Sequence, residues 1–142
     1  MADRAEVLVV ANQTAESDEL LEALLARADQ GPCKFHLLVP ARPHGANWAM
    51  DMHSGGPEAE THLKRAVDRY REAGLEVDDG KIGDPDPVAA VQDALNFKEF
   101  DEVIVSTLPT HLSKWLKLDL PHKVEHSFDG PVTHVEAKSV RV

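Results

Sequence analysis

Cysteine is almost missing from this chain. Cys33 is the only one in 142 residues, which excludes a disulfide framework and a cysteine-based metal cluster. The thiol lies beside a strand pattern and is expected to be a small buried residue. Long apolar runs are missing too. None approaches the roughly 20 residues of a membrane span, so no membrane partner is expected. Positive charge is in deficit, with 15 Lys and Arg against 25 Asp and Glu and a formal net charge of -10. Such a surface repels a phosphate backbone, and no nucleic-acid partner is expected. The densest basic cluster, Lys64, Arg65, Arg69 and Arg71, alternates with Asp68 and Glu72 on one helical pattern, which is a solvated face.

Catalytic signatures are also lacking. No Gly-x-Ser-x-Gly elbow positions a serine, and no nucleotidyl-transfer motif is present, so the chain is not expected to be an enzyme. The first residues, MADRAEVLVV, carry no signal-peptide cleavage pattern, and a cytoplasmic protein is expected. At this length one domain, residues 1–142, with a single core is expected.

What is present is an alternation of strands and helices. Glu6 to Ala11 is a short continuous apolar run of the kind buried on both faces of a parallel sheet. Asn12-Gln13-Thr14 turns the chain into a helix on which Leu20, Leu21, Leu24, Leu25 and Ala28 recur at helical spacing. Gly31-Pro32 stops it. Lys34 to Pro40 reads as a second strand, and Ala41 to Pro57 as a long loop. Leu63, Ala66, Val67 and Tyr70 mark the next helix, which Gly74 ends. Leu75 and Val77 alternate with Glu76 and Asp78, predicting a third strand that continues toward Ile82. Asp86 followed by Pro87 is a helix start, with Val88, Val91 and Leu95 as its buried stripe. A fourth strand at Glu102–Ser106 leads into a helix ending near Phe128. Gly130-Pro131 precedes a fifth strand, Val132–Val135. Five strands alternating with about four helices predict an α/β, doubly wound parallel sheet.

Four stretches carry a family resemblance: VLVVANQT, KIGDPDPVAAVQDAL, FDEVIVST and KVEHSFDGPVTHV. In this order they resemble the universal stress protein family across nearly the whole chain. The resemblance implies a flavodoxin-like, five-stranded parallel sheet of order 3-2-1-4-5 with helices on both faces. It also implies a homodimer paired through the last strand, which would remove a costly open edge. Some members bind ATP at the carboxyl ends of strands one and four. Their loop after strand four reads Gly-x-x-Gly, nine residues, then Gly-Ser or Gly-Thr. Here Ser106 and Pro109 stand at the first pair and Leu118-Asp119 at the second, with eight residues between, and Asn12 replaces the family's Asp.

No glycine occurs from Glu102 to Val124, and glycine is what lets backbone amides approach phosphate. Pro109 has no amide hydrogen, Leu118 adds bulk and Asp119 adds negative charge. No cofactor is therefore expected, with ATP as the alternative. The candidate cleft comprises Asn12, Thr14, Val39, Ser106, Thr107, Thr110, His111, Ser113 and Lys114. One reading holds a small polar or anionic ligand on the hydroxyls and Lys114. The preferred one has Thr110 capping the next helix while the rest face solvent.

His122 and His126 stand four apart, with Asp119 one turn before. The spacing suits zinc, yet such a set also occurs on ordinary surface helices, and no metal is expected. His44, Trp48, Met50, Met52 and His53 give the long loop an apolar character. An ordered flap that packs Trp48 is expected, with a lid over the cleft as the alternative. The favoured function is a non-catalytic binding or interaction domain that does not hold ATP in the family's way. The runner-up is a nucleotide or small-anion sensor with an altered loop.

Overall fold

A computed structural model describes residues 4–11, 14–40, 55–84, 86–108 and 119–137. Its elements run β1 (Ala5–Val10), α1 (Asp18–Asp29), β2 (Cys33–Pro40), α2 (Gly55–Glu72), β3 (Lys81–Gly83), α3 (Pro87–Phe97), β4 (Glu102–Thr107), α4 (Leu120–Ser127) and β5 (Val132–Glu136). The strands form one sheet of order β3-β2-β1-β4-β5. Every pairing is parallel. This is the doubly wound parallel arrangement expected from the strand and helix patterns, with the flavodoxin-like strand order that the family resemblance implies.

β1 sits at the centre, and its side chains divide between two cores. Val7 and Val9 join Phe35, Leu37, Val39 and Ile104 beneath α1 and α2. Leu8 and Val10 join Leu38, Val103 and Val105 beneath α3 and α4. Period-two alternation sends neighbouring residues to opposite faces. A strand covered on both faces therefore reads as a continuous apolar run. Cys33 is buried, as its setting in the strand pattern predicted, and burial pushes its thiol pKa up.

Three expectations need correction. The long loop ends earlier than Pro57, because α2 already begins at Gly55. Proline is tolerated in a helix's first turn, where its missing amide hydrogen has no partner to lose. The predicted third strand is split. Val77 makes only an isolated bridge to Phe35, and β3 proper starts at Lys81. Between them Gly80 adopts φ 77°, and Asp78 Oδ1 accepts its amide at 2.9 Å. That turn interrupts the ladder. On α3 the fully buried positions are Pro87, Ala90 and Val91, with Val88 and Leu95 only half-buried. Ala90 faces Gly83, where an added Cβ would lie 2.9 Å from Ala90 Cβ and 2.9 Å from Leu38 Cδ1. The helix and sheet approach too closely there for a branched side chain. Val132 and Val135 are half-buried, on a strand that among the described residues pairs only with β4.

No helix among the described residues is long and apolar enough to cross a membrane.

Candidate functional site

The winding changes direction between β1 and β4. In open α/β sheets ligands bind at the carboxyl ends of the strands at such a point. Thr14, Val39, Ser106 and Thr107 lie among the described residues of the predicted cleft. Asn12, Thr110, His111, Ser113 and Lys114 fall outside them, as do Pro109, Leu118 and the proposed flap with Trp48.

The described hydroxyls do not converge on one ligand. Ser106 is fully buried and Thr14 is 2% exposed, and their oxygens are 2.7 Å apart. Thr107, next along the strand, turns to the opposite face. Its Oγ1 donates to Leu108 O at 3.0 Å and lies 2.7 Å from His134 Nε2. With the hydroxyl proton given to Leu108, Nε2 is the donor in that second bond. His134, on β5, was missed by sequence reasoning, because only the register Val105↔His134 brings it beside Thr107. Val39 is buried in the core beneath α1 and α2, so its side chain does not line a cleft.

The turn that carries Thr14 is held from behind by α2. Tyr70 donates its hydroxyl to Ala15 O, and burial pushes its pKa well up, so it remains a donor. Arg69 donates to Glu16 O and to Asp18 Oδ1 at 2.5 Å. Ser17 Oγ accepts Leu20 N at 3.2 Å and caps α1. These ties fix the floor at Thr14 and Ser106.

Two helix starts near the carboxyl edge, those of α1 and α3, are already capped. Free amides at such ends attract anions. At α1 the Ser17 cap is followed by Asp18 and Glu19. At α3 Asp86 Oδ1 accepts Val88 N at 3.0 Å, with Asp84 accepting Asp86 N just before. Carboxylates stand where a phosphate would otherwise find positive field.

The start of α4 changes the sequence correspondence. Asp119 precedes the helix with φ 58° and ψ 41°, the left-handed region. Among the described residues it is the one non-glycine with positive φ. Asp119 therefore takes the conformation that favours glycine. Nine residues, 110–118, then separate it from Pro109, the spacing of the family pattern. The following position, where that pattern has a hydroxyl, is Leu120, and it is fully buried. Asp119 makes no side-chain cap. Its Oδ2 instead meets His122 Nδ1 at 3.0 Å. No group of three or more His, Cys, Asp or Glu among the described residues stands ready to hold a metal ion.

Compared with known proteins, this geometry has clear structural counterparts. A universal stress protein in complex with cAMP is 18% identical, with 96% of this chain and 100% of that chain aligned at a TM-score of 0.63. An Arabidopsis thaliana universal stress protein family protein with AMP bound is 16% identical, covering 96% and 94% at 0.66. A universal stress protein from Archaeoglobus fulgidus is 15% identical, covering 92% and 93% at 0.63. No family profile and no curated protein sequence matches the chain. The class is thus an open, doubly wound parallel α/β sheet. More narrowly, the chain has the universal stress protein fold.

Proposed function

We propose that this protein is a universal stress protein-like, non-catalytic binding or interaction domain that does not hold ATP as the family pattern would. One observation carries the reading. Where that pattern has Gly-Ser or Gly-Thr, this chain has Asp119, with a carboxylate turned to His122, and Leu120, buried in the core. The glycine that admits phosphate and the hydroxyl that would bind it are both replaced. The Thr14–Ser106 pairing and the acidic helix starts support the same conclusion.

A second reading draws on the structural neighbours with cAMP and AMP bound. A monophosphate presents less negative charge to an acidic edge than a triphosphate, so a sensor of such a nucleotide remains the alternative. Native mass spectrometry and thermal denaturation with ATP, ADP, AMP and cAMP discriminate between them. The expected outcome is no co-purifying nucleotide and no shift with any of the four. A saturable shift with AMP or cAMP alone favours the sensor, and one with ATP overturns the main reading.

A further inference from the structure

The geometry points to a divalent transition-metal site on α4, formed by the imidazoles of His122 and His126 and oriented by Asp119. Three observations meet there. His122 and His126 are one helical turn apart, and their ring centroids lie 4.6 Å from each other at 49°, so the pair already shares one face. Asp119 Oδ2 stands 3.0 Å from His122 Nδ1. With Nδ1–H donating to the carboxylate, Nε2 keeps its lone pair, the arrangement by which carboxylates orient metal-binding histidines. The backbone of Asp119 is left-handed, a conformation that disfavours a side chain, and this side chain leaves the helix uncapped to reach His122.

The site supplies two nitrogen ligands, with water filling the remaining positions. Asp119 contributes through His122 and is a positioning residue, consistent with the absence of a three-ligand cluster among the described residues. Imidazole nitrogen selects zinc, nickel or copper over magnesium or calcium. Both histidines are exposed, so a metal can enter without opening the fold. A metal spanning the two residues staples two turns of an eight-residue helix, and binding to the folded state alone raises its stability. Neutral imidazole is required, so binding weakens in acid.

Titration of the full chain with zinc in a non-chelating buffer, read by calorimetry and histidine side-chain NMR, tests this. Zinc is expected to perturb the His122 and His126 signals together and to raise the melting temperature. His126→Gln is expected to remove that rise. Asp119→Gly separates the site from folding, since it relieves the left-handed strain while deleting the carboxylate. It is expected to melt higher than the parent without metal, yet to bind zinc about 10-fold or more weakly. Zinc affinity at these histidines unchanged in either variant overturns the proposal, as does zinc that perturbs other histidines and leaves this pair alone. Nucleotide binding is no part of these readouts, so failure here leaves the proposed function untouched.

Discussion

Leu120 shows at the scale of one residue how packing and ligand chemistry exclude each other. It belongs to the core that also holds Leu8, Val10, Val91 and Val124, so its side chain contributes to stability as any buried leucine does. Leu120→Ser should cost about 3 kcal/mol, the cavity penalty of a large-to-small core change with a poorly satisfied hydroxyl added, measured by urea denaturation. Restoring the family's phosphate loop therefore conflicts with the fold. Pro109→Gly combined with Asp119→Gly, leaving Leu120 in place, should keep the protein folded and give at most weak ATP binding by calorimetry. Tight binding by that double variant would show that Leu120 is no obstacle. Glu6 supplies the pH dependence at this scale. Burial acts to raise its pKa, but the Lys98 ammonium at 3.1 Å and the His36 imidazole at 3.6 Å outweigh it and hold it below the usual value. A depressed folded pKa adds stability that is complete above the unfolded glutamate value, about 4.3, and lost as pH falls through the folded one. Glu6→Gln should thus be less stable than the parent at neutral pH, and the gap should close in strong acid.

Among the elements, α2 does more than cover the sheet. Through Tyr70 and Arg69 it holds the turn at Ala15 and Glu16 that presents Thr14 to Ser106. Tyr70→Phe keeps the ring in the core and removes one buried bond, leaving Ala15 O without its donor. A loss of about 1–2 kcal/mol is expected, with faster amide exchange localised to residues 14–17. Uniform exchange across the protein would mean that the turn is held by other contacts. This coupling was not legible in the sequence, because Tyr70 reads as one more apolar position on a helical stripe. The strands were legible. Val7 to Val10 and Val103 to Val105 are continuous apolar runs, of the kind that a doubly covered parallel sheet buries. Asp86 and Pro87 were legible as a cap because the pattern is local, and the structure places Asp86 Oδ1 on Val88 N. The third strand misled for a physical reason. Leu75 and Val77 alternate and are buried, yet Gly80 turns the chain before the ladder resumes at Lys81. At the site, residue types showed that the glycines of the family pattern are absent. They did not show which residue is left-handed, since that depends on backbone φ at Asp119.

For the whole molecule, the open question is what covers β5. One side of it pairs with β4 and the other has no strand beside it among the described residues. Thr133, His134 and Glu136 are exposed, and Val132 and Val135 are half-buried. An open strand edge with partly covered valines is an aggregation hazard unless something closes it. The opposite edge, β3, runs for only three residues and offers little to pair with. A two-fold axis beside β5 closes the long edge with an identical strand and ends the assembly at two copies, whereas a head-to-tail contact would propagate. The net charge of -10 opposes bringing two copies together, and salt screens that repulsion over about 8–10 Å. A dimer built this way should therefore tighten as ionic strength rises, the reverse of one held by opposite charges. Light scattering of the full chain at rising salt is expected to give twice the monomer mass at tens of micromolar protein, roughly the range in which micromolar affinities are populated. Val135→Lys, which places like charges near the axis, should shift the mass toward monomer with little change in the monomer's own helix and sheet signals. A parent that stays monomeric at every salt concentration would rule out β5 pairing and leave its edge to a different protein.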